Sequence, residues 1–275
     1  MRRLKLPGLW SARLRFVQRA LAPLALLTAS MGFVSATLAA EPSPRCTAPF
    51  DLVRLATPLL HLAHKLAAHK PIVIVAIGSS STAGSGASTP AANYPSRLEA
   101  ELRRHFPQDQ ITVINRGVGG EEVPDMLKRF DKAVVAAKPD LVLWQLGTNS
   151  VIRDHMSGDQ GKLIRVGLAK IRATGADVVL IDPQFAPKVI AKSDAPRMVD
   201  LISSTAKAEN VDLFPRYAVM KRWRDIDGLG FDKFVSPDGL HMNDWSYACM
   251  AKGLGLAIAE AARRPVATAA AKLAP

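Results

Sequence analysis

Cysteine is scarce in this sequence, and the two that occur, Cys46 and Cys249, stand far apart along the chain. Two cysteines at this separation do not form a metal-binding motif. No cluster of histidine, cysteine and aspartate occurs at ligand spacing either, so we expect no metal requirement. In an exported protein we predict that the two cysteines are joined, although two free thiols remain an alternative that the residues leave open.

Acidic residues are absent from the first 40 positions, which carry six arginines and lysines. An apolar run rich in small residues follows the basic segment and ends in Ala-Ala before Glu41. This layout is typical of a secretory signal peptide cleaved near residue 40, so we expect a periplasmic or secreted protein. An uncleaved transmembrane anchor is the alternative, and it is the one route by which we expect membrane contact.

A compact stripe of basic and aromatic residues is also missing. The formal net charge is +12, but half of it lies in the leader and the remaining basic residues are scattered. We therefore expect no nucleic-acid partner. Neither glycine-rich segment matches a phosphate-binding motif. The segment "GSSSTAGSG" lacks the lysine of a phosphate-binding loop. The segment "GVGGEE" carries Glu121 and Glu122, which would repel a pyrophosphate. No cofactor is expected.

What is present is a regular alternation of apolar strands and amphipathic helices. Because hydrophobic residues make up 48% of the chain, a sizeable core is available. Such alternation predicts a parallel sheet covered on both faces, in one doubly wound domain. A long insertion over 216–237 is interpreted as a lid or a glycan-facing wall, and residues 265–275 as a disordered tail. The five predicted strands span 71–78, 110–117, 139–147, 176–183 and 211–215.

Polar segments follow the strands, where open α/β sheets form their sites. They read "GSSSTAG" after the first strand, "NRGVGGEE" after the second, "GTNS" after the third and "SPDGLHMND" beyond the last. His241 is the one histidine beyond the last strand, with Asp238 three residues earlier. A serine at a sharp turn, a histidine, an acid and oxyanion donors are what a serine hydrolase needs.

Taken in order, "GSSSTAG", "NRGVGG", "GTN" and "DGLH" resemble the four signature blocks of the SGNH (GDSL-type) hydrolase family. The resemblance covers residues 71 to about 262 and implies a three-layer α/β/α, flavodoxin-like fold with a five-stranded parallel sheet. It implies Ser80 as the nucleophile, with Asp238 and His241 completing the triad. The oxyanion hole implied consists of Ser80, Gly120 and Asn149. The domain organisation expected is a signal peptide over 1–40, a lead-in and helix over 41–70 and an SGNH hydrolase domain over 71–264.

Two positions depart from the family pattern. Ser79 stands where the family usually has aspartate, and Ser150 where the third block often has one. The neighbouring serines leave the register of the nucleophile open between Ser79, Ser80 and Ser81. Gly119 competes with Gly120 in the same way, although the spacing from Asn115 favours Gly120.

The function predicted is an exported serine hydrolase that cleaves a small-molecule, glycan or lipid ester through an acyl-enzyme. The alternatives are an O-acetyltransferase or deacetylase acting on envelope glycan, and a non-catalytic glycan-binding module on the same fold. Trp144 is expected in the core. For Phe185, Met242 and Trp245 the sequence leaves two roles open, an acyl pocket or ordinary packing.

Overall fold

A five-stranded parallel sheet forms the centre of the fold. In a computed structural model, which describes residues 44–156 and 159–264, all the strand pairs are parallel and the order is β2-β1-β3-β4-β5. This order is that of flavodoxin-like folds, so the fold class expected from the sequence is confirmed. The strands are β1 (Ile72–Gly78), β2 (Ile111–Gly117), β3 (Leu141–Gln145), β4 (Asp177–Ile181) and β5 (Asp212–Phe214).

Strand composition follows position in the sheet. The central strands β1 and β3 read "IVIVAIG" and "LVLWQ", and almost every residue in them is buried, as expected for strands covered on both faces. The edge strand β2 reads "ITVINRG" and exposes Thr112 and Arg116. The central strands therefore anchor the core, while β2 presents part of its carboxyl end to solvent.

Helices cover both faces of the sheet. Gly167 lets one helix approach the sheet closely, since a Cβ there would lie 2.0 Å from the ring of Trp144, which is buried as expected. On the other face Gly255 packs near Leu98, where two helices meet. The helices are α1 (Phe50–Val53), α2 (Leu60–Ala67), α3 (Ser80–Ala83), α4 (Tyr94–His105), α5 (Val123–Lys128), α6 (Phe130–Ala133), α7 (Thr148–Ile152), α8 (Gln160–Arg172), α9 (Pro187–Ile190), α10 (Ala195–Ala208), α11 (Arg216–Asp225), α12 (Phe231–Phe234) and α13 (Asp244–Arg263).

Two segments with helical periodicity are broken in the structure. Residues 51–69 form α1 and α2 with a non-helical stretch between them, where Pro58 disfavours a continuous helix. Residues 122–137 form α5, α6 and a short 3₁₀ helix instead of one long helix. The break between α5 and α6 falls at Arg129, whose guanidinium binds the carboxylate of Glu121.

A disulfide joins Cys46 to Cys249 across 203 positions, with the two Cα atoms 5.3 Å apart, and this confirms the predicted pairing. It attaches the lead-in segment to α13, where Ala48 also packs beside Gly253. The lead-in therefore packs on the same body as the sheet.

The segment 216–237 does not project from the body as a free flap. It forms α11 and α12, and the side chains of Trp223 and Phe234 are fully buried and meet edge to face. Trp223 also donates to the carbonyl of Thr47. The long insertion is therefore anchored to the core by these side chains.

Within the ranges that the structure covers, none of the helices has the length and apolarity required to cross a membrane. The expected leader over 1–40 and the expected disordered tail over 265–275 lie outside the described residues.

Candidate active site

Three consecutive serines follow β1, and two of them are tied into the protein interior. Ser79 is 1% exposed and its hydroxyl donates to Oε1 of Gln145 at 3.0 Å. Ser81 is fully buried and its hydroxyl donates to Oε1 of Gln184 at 3.4 Å. These contacts hold both flanking hydroxyls in the protein interior, on buried amide side chains.

Ser80 differs from its neighbours because its hydroxyl meets an imidazole. It is the first residue of the short helix α3, and its Oγ lies 2.8 Å from Nε2 of His241. Gly78 makes the turn into α3 possible, since a Cβ there would lie 2.2 Å from Oγ1 of Thr82. The structure therefore pairs Ser80, and neither neighbouring serine, with the histidine.

The loop carrying Asp238 and His241 is held together by its own hydrogen bonds. Oδ2 of Asp238 lies 2.5 Å from Nδ1 of His241. Oδ1 accepts from the backbone N–H groups of Leu240 and His241 at 2.9 and 3.0 Å, and from the hydroxyl of Ser236 at 2.9 Å. Gly239, with φ +68°, allows the tight turn. Ser80, His241 and Asp238 thus form one hydrogen-bonded chain.

The charge on Asp238 is stabilised by these donors. Partial burial acts to raise the pKa of this carboxyl, but the hydrogen bonds from His241, Leu240 and Ser236 outweigh it and hold the pKa well below its ordinary value. An ionised Asp238 requires Nδ1 of His241 to carry its proton, which leaves Nε2 free to accept the proton of Ser80. The geometry is therefore capable of general-base chemistry at Ser80 Oγ.

Gln184 is a structural contributor that the sequence reading missed. Its side chain is fully buried at the end of β4, where Oε1 accepts from Thr148 at 2.9 Å. Its Nε2 donates to the carbonyl of Leu240 at 3.2 Å. This amide links the sheet to the histidine loop, and its place in "DPQFAP" at a strand end was the available signal.

The glycine loop after β2 lies beside the serine. A Cβ at Gly119 would lie 3.9 Å from Cβ of Ser80, and Gly120 adopts φ +79°. Among the described residues, the N–H of Gly120 donates to no backbone carbonyl. Both candidate glycines therefore lie on the loop next to Ser80.

Asn149 meets this loop from the other side. It lies in α7, is 6% exposed, and its Nδ2 donates to the carbonyl of Glu121 at 2.8 Å. No hydrogen bond joins Asn149 directly to Ser80 or His241 within the part of the chain described. The structure thus brings Asn149 to the glycine loop, with one amide hydrogen used and the other left for a ligand.

Two further side chains, also missed in the sequence, hold the glycine loop in place. Nη1 of Arg153 donates to the carbonyl of Gly120 at 2.7 Å and to Oε1 of Glu122 at 2.9 Å. Burial acts to raise the pKa of Glu122, but hydrogen bonds from Arg153, His155 and Ser150 lower it overall. The loop is therefore bordered by a fixed arginine–glutamate pair.

A buried polar floor lies beneath α3, and we use this name for Tyr94, Asp182, Arg216 and Tyr247. The hydroxyl of Tyr94 contacts Oγ1 of Thr82 at 3.3 Å, and that of Tyr247 donates to the carbonyl of Ser85 at 2.7 Å. Nε of Arg216 donates to the backbone carbonyl of Asp182 at 2.9 Å.

The charged groups of the buried polar floor have few hydrogen-bond partners among the described residues. Within the described chain, Nη1 and Nη2 of Arg216 are buried without a hydrogen-bond acceptor. Burial lowers the pKa of Arg216 to about 10 and raises that of Asp182 to about 7. Burial also raises the pKa of Tyr94, to about 12.

The three apolar residues near the site serve mainly in packing. Met242 is fully buried, and Phe185 is 8% exposed and stacks on Phe231. Trp245 meets Trp223 edge to face. Among residues 44–156 and 159–264, no group of three or more histidine, cysteine or acidic side chains is arranged to hold a metal ion.

Comparisons with known proteins point to esterases. The sequence model of the Non-GDSL lipase-like family matches residues 45–264. An arylesterase of Vibrio mimicus is 31% identical over 145 residues, which are 50% of this chain and 69% of that protein. An acetylxylan esterase of Geobacillus stearothermophilus is 34% identical over 62 residues, 22% of this chain and 28% of that protein.

Among solved structures, a two-domain esterase active on acetylated mannans aligns with a TM-score of 0.65 at 19% identity. The alignment covers 79% of this chain but 58% of that one, so this chain spans little more than half of the two-domain protein. At this identity the likeness shows the fold. The matched family is described as non-GDSL, so the GDSL-type resemblance is not confirmed, and Ser79 is where the sequence departs from that pattern.

Proposed function

The chain belongs to the Non-GDSL lipase-like family, and from that premise we propose that it is an exported serine hydrolase that cleaves carboxylic esters. Its arylesterase and acetylxylan esterase relatives support ester hydrolysis. The observation that carries the proposal is the contact of 2.8 Å between Ser80 Oγ and His241 Nε2. We propose an SGNH-type arrangement of the site, with Ser80, His241 and Asp238 as its triad.

In the proposed acylation step, Ser80 Oγ attacks the carbonyl carbon of the ester while His241 Nε2 takes the hydroxyl proton. Asp238 holds the other ring nitrogen and stabilises the imidazolium that forms. The imidazolium then donates its proton to the departing alcohol oxygen as the tetrahedral intermediate collapses. The product of this half-reaction is an acyl group on Ser80.

Charge on the tetrahedral oxygen needs donors fixed in advance. Ser80 opens α3, so its backbone N–H has no acceptor within that helix. The N–H of Gly120 and the second amide hydrogen of Asn149 are the other donors proposed. The hydrogen bond from Asn149 to Glu121 supports this, because it fixes the amide beside the glycine loop.

Water completes the proposed cycle. His241 removes a proton from the water as it attacks the acyl carbon, and returns that proton to Ser80 Oγ when the carboxylic acid leaves. An O-acetyltransferase would use a sugar hydroxyl in place of water. A time course with and without added acceptor alcohol separates the two, since transfer yields a new ester instead of free acid.

Acetyl esters of glycans are the substrates that the comparisons favour. The acetylxylan esterase relative and the structural neighbour active on acetylated mannans both support this class. A chain-length series of 4-nitrophenyl esters, run beside acetylated oligosaccharides, measures the acyl preference. We expect turnover to fall as the acyl chain lengthens beyond acetyl.

The test of the nucleophile compares three adjacent serines. Ser80→Ala is expected to lower kcat on 4-nitrophenyl acetate by about 10⁴-fold or more, with the fold intact by circular dichroism. Ser79→Ala and Ser81→Ala are the matched controls and are expected to retain turnover. Retained activity in Ser80→Ala, with loss in one of the other two, would place the nucleophile elsewhere.

Export is part of the proposal and rests on the basic and apolar segment over 1–40. Mass measurement of the protein recovered from a cell-envelope fraction tests it. We expect a polypeptide shortened by about 40 residues, and recovery of the full-length chain from the cytoplasm would contradict export.

A further inference from the structure

A basic pocket opens at the carboxyl end of the edge strand β2, next to the proposed site. Its volume is about 500 Å³, and Arg116, Arg129 and Lys132 line it together with Asn115 and Val118. A volume of this order suits a small ligand or a sugar unit. None of the residues that line it in the described chain is acidic.

Two of the three cations in this pocket have no partner among residues 44–156 and 159–264. The side chains of Arg116 and Lys132 are exposed and form no hydrogen bond or ion pair with other described residues. Arg129 is different, because its guanidinium binds Glu121 and the carbonyl of Arg116. The nearby carboxylate of Asp131 is likewise occupied, by Lys170 at 2.8 Å. The pocket therefore presents two uncompensated positive charges.

The pocket is joined to the nucleophile through the backbone. Nδ2 of Asn115 donates to the carbonyl of Thr82 in α3 at 2.8 Å, and a Cβ at Gly117 would lie 2.1 Å from the N atom of Ala83. Val118 is 45% exposed on the pocket wall, and the residue after it is Gly119, which lies beside Ser80. Because Val118 is bonded to Gly119, the pocket wall continues directly into the loop beside Ser80.

We propose that this pocket is a subsite for the carboxylate of an acidic glycan ester, such as an acetylated uronic-acid oligosaccharide. The inference rests on the proposed function, since it assigns a substrate class to the same serine. Arg116 and Lys132 bind the carboxylate of a neighbouring uronate unit, and Val118 contacts the apolar face of its sugar ring. The acetylated unit meanwhile lies at Ser80.

The test measures charge preference with acetylated oligogalacturonides and acetylated xylo-oligosaccharides of equal length. For each protein the quantity is the ratio of kcat/KM for the acidic substrate to that for the neutral one. We expect the double variant Arg116→Gln/Lys132→Gln to lower this ratio about tenfold, mainly through KM on the acidic substrate. Sodium chloride at about 0.5 M should lower the wild-type ratio toward that of the variant.

Lys207→Gln is the matched control, because Lys207 is an exposed lysine of α10 and does not line this pocket. We expect it to leave the ratio unchanged, and thermal unfolding checks that every variant is folded. An unchanged ratio in the double variant, or the same decrease in Lys207→Gln, overturns the subsite.

A binding experiment separates failure of the subsite from failure of the proposed function. Calorimetric titration of Ser80→Ala with unacetylated oligogalacturonide does not depend on turnover. We expect binding that weakens about tenfold when Arg116→Gln and Lys132→Gln are added. Equal binding with and without these changes overturns the subsite, whereas a wild-type protein that fails to hydrolyse 4-nitrophenyl acetate overturns the proposed function.

Discussion

Two aspartates near the carboxyl ends of the strands have pKa values shifted in opposite directions. Burial raises the pKa of Asp182 to about 7, because backbone hydrogen bonds, the one from Tyr217 foremost, and the charge of Arg216 compensate it only in part. Burial acts on Asp238 in the same sense, but hydrogen bonds with His241 and its neighbours lower that pKa instead. The side chain of Asp238 is 43% exposed, whereas Asp182 is 1% exposed.

The difference shows that the supply of donors, together with access to water, decides the charge state of a carboxyl. The histidine loop provides donors in excess, so its carboxylate stays ionised and ready to orient an imidazole. The buried polar floor provides too few, so its charges oppose folding. We therefore expect changes in the loop to act on turnover and changes in the floor to act on stability.

In the comparison of the loop with the floor, the largest effect is expected for Asp238→Asn. Without the carboxylate, Nδ1 of His241 loses the partner that selects its tautomer, so kcat should fall by about 10⁴-fold. The lowered pKa of Asp238 means that its carboxylate also stabilises the folded state at pH 7. The loss in the free energy of unfolding should still be modest, because the carboxyl is partly exposed and the Oδ1 of asparagine can accept the same backbone and Ser236 hydrogen bonds. Steady-state kinetics and urea unfolding measure the two quantities. A decrease in kcat of less than about tenfold would mean that the acid is dispensable.

Arg216→Met tests how the buried polar floor contributes to stability. The change removes the hydrogen bond that Nε of Arg216 donates to the buried backbone carbonyl of Asp182. Because a buried acceptor left without its donor costs about 1 to 3 kcal/mol, the free energy of unfolding should fall by that amount. Adding Asp182→Asn should recover part of this loss. Urea unfolding of both single variants and the double variant forms the cycle, and strictly additive effects would show that the two groups do not interact.

Asn149 is buried like the residues of the floor, but we propose that it acts as an oxyanion donor. The variant Asn149→Ala tests this role. Loss of one oxyanion donor lowers kcat by about 10² to 10³-fold with KM little changed. The matched comparison is Asn93→Ala, because Asn93 is also a buried amide but accepts from the N–H of Ser96 at the start of α4. Its loss should act mainly on stability. A change in KM alone for Asn149→Ala would argue for a binding role.

The smallest effect is a pH dependence of stability in the floor. An aspartate in the unfolded chain titrates near pH 3.9, and burial raises the pKa of Asp182 to about 7. The folded state thus favours the protonated carboxyl, and its contribution to stability is complete below about pH 4 and lost as the pH rises through 7. Asp182→Asn should lack this slope. If the free energy of unfolding has the same pH dependence in wild type and variant between pH 5 and 8, this prediction is contradicted.

The strands of this fold could be predicted from sequence because each is an apolar run bounded by polar residues. All five predicted strands occur, and none of their ends differs from the prediction by more than two residues. Helical breaks were harder to foresee. The break near Arg129 accompanies a contact with the carbonyl of Arg116, 13 positions away, and no local pattern encodes it.

The distance along the sequence between contacting residues also explains which parts of the candidate site could be predicted. The contacts of Asp238 stay within three positions, so "DGLH" could be interpreted directly. Gln184 meets Leu240 across 56 positions, and Arg153 meets Gly120 across 33. These partners come together through the sheet order, so residue spacing alone did not indicate them.

The disulfide between Cys46 and Cys249 closes a covalent ring that contains most of the described chain. A pulling force applied beyond the two cysteines therefore passes through the sulfur atoms and bypasses the sheet. Single-molecule stretching of the oxidised protein should show no extension from the segment between the two cysteines until a reductant is added. An enzyme that unfolds proteins by threading them from a free end would meet the same obstacle. Two segments of the ring would have to pass through the channel of that enzyme side by side.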